Sequence, residues 1–310
     1  MGKTNIVKEC LRDNWIKQYF NMGIVYNSAN KIFTGENLID VPSCSSETLP
    51  PLLYKYFSFP KSRREINKRM RQIANRRLWF SSRKLMNDPK DLMTINTDLL
   101  SEDEKNYYVQ VVDEKIYFCL CQDPTNVLMW AHYAKSFSGF SLGFRYNQNY
   151  DFPKIKSVSY QPRNFVEEYK KFYEMKCNDV IKTLVTGTLA DTMLFSVQHF
   201  EEHIWLQKLN EMILYTKTAE WSYEKEYRLV LSASKFTKKS KISGKLIEAD
   251  SVGLEIAEIT IGLSCSEKNR KRVIKVWRKL NRGSASPIRL FELKYEGDKL
   301  TRKEQSNLYK

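Results

Sequence analysis

Two short segments carry residues that could do acid–base chemistry. One is Leu128-Met129-Trp130-Ala131-His132-Tyr133, the other Trp221-Ser222-Tyr223-Glu224-Lys225-Glu226-Tyr227-Arg228. Both set ionisable groups among large side chains that favour the interior. Glu and Arg are almost never fully buried unless paired, so such a setting implies ion pairs or perturbed pKa values. If the second segment is a strand, Glu224, Glu226 and Arg228 alternate onto one face. Two neighbouring carboxylates then raise one of their pKa values, and a nearby arginine lowers it again. The same residues also admit a structural reading, with Arg228 held by Glu224 or Glu226 as an ion pair. His132 is one of three histidines in the chain. Its aromatic surroundings suit a general base, a ribose-hydroxyl donor or a satisfied core residue.

Two further motifs precede these. Leu53-Tyr54-Lys55-Tyr56 comes first, then Leu78-Trp79-Phe80-Ser81-Ser82 with Asn87-Asp88-Pro89 close behind. With all four in this order, the chain resembles the bacterial family catalogued as domain of unknown function 2971 over roughly residues 52 to 265. It departs from that pattern at Phe137, where the family often carries a second His, and at Lys90, where an aromatic is usual. The resemblance implies that the four motifs converge on one cleft. Glu226, Glu224 and His132 would be its catalytic groups. Tyr54, Lys55, Trp79, Ser81, Asn87, Asp88, Trp130, Tyr133, Tyr223 and Arg228 would bind substrate. Asn87 and Asp88 read more readily as turn-formers than as catalysts, because their side chains bond the local backbone.

The Glu224-x-Glu226 pair also resembles the terminal motif of ADP-ribosyltransferases. In those enzymes one glutamate binds the nicotinamide-ribose hydroxyl and supports an oxocarbenium-like centre, while the other activates the acceptor. This likeness implies an enzyme of ADP-ribosyltransferase or NAD glycohydrolase type, with NAD as substrate and no metal. It further implies a toxic effector of bacterial antiphage defence, working with a partner protein or RNA of such a system.

Charge suggests a different class of partner. The net charge is +15 and the pI about 9.4. The basic residues cluster in three blocks: Lys61 to Arg77, Lys235 to Lys241 and Lys268 to Arg282. Such blocks either make sequence-independent phosphate contacts or form solvated helix faces. In the last block Val273, Val276, Trp277 and Leu280 keep helical spacing, which turns Lys271, Lys275, Arg278 and Arg282 outward as candidate nucleic-acid contacts. A nucleic-acid-binding or nucleolytic defence protein without NAD chemistry is therefore the alternative function.

Other chemistry finds less support. His199-Phe200-Glu201-Glu202-His203 sets two histidines one helical turn apart, as in some zinc sites, yet no third ligand can be named, so no metal is expected. The six cysteines contain no Cys-x-x-Cys pair and read as reduced thiols. No run of about eighteen apolar residues exists, and the N-terminus lacks a hydrophobic signal core, so a cytoplasmic protein away from membranes is expected.

The elements that must position these residues follow from periodicity. Helices are predicted over 4–20, 62–77, 101–112, from a cap at Asn126 to 135, over 163–185 and 189–218, and over 266–281. Strands are predicted at 53–59, 78–81, 116–121, 140–144, 155–160, 227–231, 257–263 and 288–295. The pattern is α+β: a mixed, mostly antiparallel sheet core with a long helical insertion and flanking basic helices. Residues 1–50 read as an N-terminal helix and irregular segment. Residues 51–297 read as one domain with its insertion at 163–218, and 298–310 as a polar tail.

Overall fold

The computed structural model describes residues 49–88, 91–92, 102–147, 152–161, 212–233, 243–282 and 286–305. All of them belong to one compact unit formed by Ser46–Glu168 and Glu202–Lys310. The predicted helices at 4–20 and 163–185, most of that at 189–218, and His199 and His203 lie outside the described residues.

Short runs rich in β-branched and aromatic residues form the strands. These are β1 (Leu53–Phe57), β2 (Arg77–Ser81), β3 (Lys115–Cys121), β4 (Phe140–Tyr146), β5 (Ile155–Ser157) and β6 (Ser159–Gln161). They continue as β7 (Thr216–Thr218), β8 (Glu226–Ser232), β9 (Gly244–Glu248), β10 (Leu254–Ile261), β11 (Arg289–Glu296) and β12 (Lys299–Glu304). Ten of them make one sheet, with the path β12-β11-β10-β4-β1-β3-β2-β9; β8 pairs with β3, and β5 with β8. Every pairing in it is antiparallel except β10 with β11. The fold is α+β with a mostly antiparallel sheet, as the sequence implies.

Alternation along the strands gives this sheet two unlike faces. Leu53, Phe80, Phe118, Leu142, Phe144, Ile256 and Ile259 join one large apolar cluster. Helix α1 (Arg63–Ala74) adds Ile66, Met70 and Ile73 to that cluster. Helix α4 (Glu267–Asn281) adds Val273, Ile274, Val276, Trp277 and Leu280. Both helices start at a serine whose hydroxyl accepts from the backbone three residues on, Ser62 from Glu65 N–H and Ser266 from Asn269 N–H. Helix α2 (Glu102–Asp113) leads into β3. Helix α3 (Val127–Tyr133) begins at Asn126, whose side chain accepts from Met129 N–H. It packs Met129, Trp130 and the following Ala134 with Tyr54, Tyr56, Cys121, Leu293 and Leu300 in a second cluster.

On that second face the register builds a polar row. Glu258 stands opposite Gly143, Gly143 opposite Tyr54, Tyr54 opposite Cys121, and Cys121 opposite Glu226. Arg228 stands opposite Cys119, one step along. Two fully buried carboxylates thus share one transverse line across β10, β4, β1, β3 and β8.

Three expectations are corrected. The end of the predicted 189–218 helix is strand β7, paired in parallel with β6. Thr216 and Thr218 flank Lys217 there, and β-branched neighbours favour extended backbone. The predicted polar tail holds β12, which completes a hairpin with β11 through Gly297 at φ +60°. The 155–160 strand divides at Val158 into β5 and β6, because Val158 N–H turns to Glu226 C=O.

After α3 the chain takes three consecutive left-handed residues, Lys135 (φ 48°), Ser136 (φ 50°) and Phe137 (φ 63°). Each such non-glycine residue costs roughly 1–2 kcal/mol, so the turn must be held from outside. Ser264 N–H donates to Phe137 C=O, Gly262 N–H to Gly139 C=O, and Phe137 stacks on Trp130 at 6.4 Å. The approach is so close that a Cβ on Gly139 would lie 2.0 Å from Phe57 O. Gly139→Ala is therefore expected to lower stability by about 1–3 kcal/mol in urea denaturation. An unchanged midpoint would contradict the close packing of this turn on β1.

Candidate functional site

Arg228 is fully buried, and a guanidinium cannot shed its charge, so the fold must surround it with acceptors. Strand β8 carries Glu226 and Arg228 two residues apart on one face, which lets them pair: Nε donates to Glu226 Oε1 at 2.7 Å and Nη2 to Oε2 at 3.1 Å. Nη2 also donates to both oxygens of Asp91, at 2.8 and 2.9 Å, and Nη1 to Leu214 C=O at 2.9 Å. Asp91 is delivered by the Asn87-Asp88 turn, where Asp91 N–H donates to Asp88 C=O.

Lys217 on β7 enters the same cluster. Its ammonium donates to Glu224 Oε2 at 2.6 Å and Glu226 Oε2 at 3.4 Å, and lies 3.6 Å from Asp91. It also sits 4.5 Å above the Trp221 ring. Tyr133, the last residue of α3, donates a short hydrogen bond to Glu224 Oε1. Tyr160 on β6 accepts Glu226 N–H at 2.7 Å. Asn126 ties the start of α3 to the opposite wall by donating to Tyr223 C=O at 2.6 Å.

The two glutamates do not alternate on one strand, as the sequence suggests. Glu224 ends the 3-10 turn Ala219–Glu224, and only Glu226 belongs to β8. Lys225 between them is left-handed, with φ 43°, and this reversal aims both carboxylates at Lys217 from different elements. The outcome resembles the expected juxtaposition but separates the two environments. Burial would raise Glu226, yet Arg228 and Lys217 override it and hold the carboxyl at about 2. For Glu224 burial prevails over Lys217, and the charge of Glu226 adds to it, so its carboxyl lies above the usual range. Burial also opposes the charge of Lys217, but Glu226, Asp91 and Glu224 together drive its pKa upward. Burial and Glu224 push the Tyr133 hydroxyl up, so it stays a donor.

The predicted site residues divide into several groups. Glu224, Glu226, Arg228 and Tyr133 meet in this cluster, with Tyr223 at its side. His132 is exposed and faces Tyr223, with ring centroids 6.1 Å apart. Trp130 is core: it donates to Pro124 C=O and meets Tyr56 edge-on. Asn87 and Asp88 form the turn that brings in Asp91. Lys55 donates to Cys119 C=O and lies over Phe118. Tyr54 belongs to a second buried cluster, where it donates to Glu258; Arg289 and Arg302 pair with the same carboxylate. Trp79 and Ser81 sit on β2, between β3 and β9, and Trp79 is 43% exposed beside Gly244. Lys271, Lys275 and Arg278 on α4, and Arg282 at its C-cap, are exposed, as expected from the inward stripe. Among the described residues no group of three or more His, Cys, Asp or Glu is placed to hold a metal. No helix there is long and apolar enough to cross a membrane.

Sequence reasoning missed Asp91, Lys217 and Tyr160. Asp91 follows the Asn-Asp-Pro motif closely, and Thr-Lys-Thr is an alternating pattern inside an apparently helical stretch. Those two signals were available.

The model of a family described as Protein of unknown function (DUF2971) matches residues 129–229. The match bears out the family resemblance read from the motifs, and it takes in Tyr133, Lys217, Glu224, Glu226 and Arg228. No curated protein and no solved structure matches the chain.

Removing one partner of a buried ion pair leaves the other charge uncompensated, at a cost of about 3–5 kcal/mol. Arg228→Met is expected to destabilise the chain by that amount in chemical denaturation. Glu226 titrates near 2 in the fold against an ordinary 4.5, so its ion pairs contribute fully above pH 4.5 and are lost as the pH falls towards 2. Glu226→Gln should flatten that part of the acid-unfolding curve. An acid-unfolding curve identical to that of the wild type would show that Glu226 is not held down by Arg228.

Proposed function

We propose that this chain, which resembles the DUF2971 family over residues 129–229, cleaves the N-glycosidic bond of NAD and transfers or hydrolyses the ADP-ribosyl group. The observation that carries the proposal is the splitting of one carboxylate pair. Glu224 and Glu226 both contact Lys217, yet one carboxyl is pushed above its usual range and the other is held at about 2. Carboxyl groups whose environments separate their pKa values divide the work of acid and base. Cleavage at a ribosyl carbon develops positive charge on the sugar, and a fixed carboxylate stabilises it.

Within this reading the two glutamates take different roles. Glu226 is saturated by Arg228 and Lys217, so it acts by holding Lys217 and the local field. Glu224 is buried, with Tyr133 and Lys217 as its hydrogen-bond partners among the described residues, and its neighbour Tyr223 is half-buried beside Trp221. In this reading Glu224 is the group that meets a ribose hydroxyl and the acceptor. Trp221, Tyr223 and the exposed His132 offer surfaces for a nicotinamide or adenine ring. The acceptor is water, a protein or a nucleic acid. In a bacterial cytoplasm, NAD loss or target modification would make the chain a toxic effector of antiphage defence, released by a partner of that system.

The test is nicotinamide release from NAD by the purified chain, followed by chromatography. The wild type should release nicotinamide, and Glu224→Gln should lower the rate by about 10²-fold or more while its melting temperature stays near that of the wild type. No release by the wild type, or full activity in a folded Glu224→Gln, would remove the carboxylate pair from the chemistry.

A further inference from the structure

Helices α1 and α4 bury their apolar stripes in the same cluster and pack against each other on one face of the sheet. Lys279 Nζ donates to Asn75 Oδ1 at 2.6 Å, which ties the last turn of α4 to the C-cap of α1. Their outer sides therefore form one surface rather than two. On α1 that surface carries Arg63, Arg64, Lys68 and Arg71, all exposed. On α4 it carries Lys268, Lys271, Lys275, Arg278 and Arg282, also exposed.

The basic residues of these helices fall into two sets. Arg69 donates to Ser58 C=O, Arg270 pairs with Glu292 and Glu267, and Arg272 bonds Asn269. Those three, like Lys279, have structural work. The side chains of the exposed set have no ion pair or hydrogen bond to any described residue. The acidic residues of the two helices are Glu65 and Glu267, each in a first turn. Lys268, Lys271, Lys275, Arg278 and Arg282 follow a three–four spacing, so each repels its neighbours along the helix. Like charges at that spacing cost a helix roughly 0.2–0.5 kcal/mol per pair. The fold gains nothing from this arrangement, whereas a polyanion would neutralise it.

We propose that the joined outer face of α1 and α4 is a docking surface for double-stranded nucleic acid, held through its phosphates. The α4 row runs about 15 Å from Lys268 to Arg278 at helical rise, with Arg282 just beyond the helix end, long enough to follow several phosphates. Beside it, Arg63, Arg64, Asn67, Lys68 and Arg71 line the exposed side of α1. The chemistry of the face selects among polyanions. A single strand is held largely by stacking its bases on aromatic side chains, and none of the exposed large apolar residues is on these helices. A membrane-surface helix inserts its apolar face, and both apolar faces here are committed to the core. A duplex needs neither, because its phosphates can be bound without reading bases. This surface is built from elements other than those of the Glu224–Glu226 cluster, so binding does not depend on the NAD reading.

The experiment is anisotropy of a labelled duplex titrated with the full chain at several salt concentrations. Wild type should bind at low salt and lose affinity as salt rises, each phosphate contact adding roughly 0.9 to the slope of log K against log salt. Arg64→Glu with Lys68→Glu on α1, and Lys271→Glu with Lys275→Glu on α4, should each weaken binding and lower that slope by roughly two. The α4 pair should also melt at the wild-type temperature or above, since it relieves repulsion. Glu224→Gln should bind as the wild type does, so the two proposals can fail separately. The proposal is overturned by no binding at low salt, or by an unchanged slope in either pair. Tighter binding to a single strand of the same sequence, or to vesicles containing phosphatidylserine, would also overturn it.

Discussion

The guanidinium of Arg228 is the constraint around which this half of the protein is arranged. It is permanently charged and fully buried, so its desolvation must be offset by charge and hydrogen bonds from every side. No single element could supply them. Glu226 comes from the same strand, Asp91 from the turn after β2, and the Leu214 carbonyl from the segment before β7. That segment then delivers Lys217, whose ammonium needs a third carboxylate and finds it in Glu224. With Lys217 and Arg228 against Asp91, Glu224 and Glu226, the cluster carries one excess negative charge if every group is ionised. A shared proton on the least stabilised carboxyl would relieve it, and Glu224 is the group whose pKa is raised.

The sheet divides its two faces between different physical tasks. The face under α1 and α4 is an apolar core, and its burial supplies most of the driving force for folding. The opposite face buries Glu226, Arg228, Glu258 and Thr260. Buried ion pairs contribute little net stability compared with apolar packing, but they are costly to break, so they fix which strands lie side by side. The Glu258 cluster does so between β10, β11 and β12 through Arg289 and Arg302, and reaches β1 through Tyr54. Polar satisfaction on this face is close to complete: Ser141 Oγ is the one buried side-chain atom without a partner among the described residues.

These two tasks bear on function in the same way. A charged group can be poised for chemistry only where neighbours hold its geometry and its field constant. The Arg228 cluster provides such a frame, and Glu224 is held in it by Lys217 and Tyr133. The basic surface of α1 and α4 lies on the other face, where the apolar core separates it from the carboxylates. Their functional proposals draw on independent parts of one scaffold.

The sequence alone determined the elements with strong local periodicity. Helices α1 and α4 follow from their apolar stripes, α3 from its Asn126 cap, and β3, β4, β8, β10 and β11 from short apolar runs. It also marked Glu224, Glu226 and Arg228 as ionisable groups in an apolar setting, read either as an ion pair or as a site of perturbed pKa values. What it could not determine was the partners. Asp91 and Lys217 are ordinary surface-type residues in sequence, and they become core only because Arg228 requires acceptors that no local spacing reveals. Lys217 sits in a stretch whose apolar spacing reads as helix, and pairing with β6 overrides that preference. The left-handed Lys225 is a tertiary decision too: nothing in Glu-Lys-Glu announces a reversal, yet without it the two carboxylates would alternate along a strand. Local pattern fixes which groups leave water, while only the assembled chain decides which opposite charges they meet there, since that electrostatic match is made across long sequence separations.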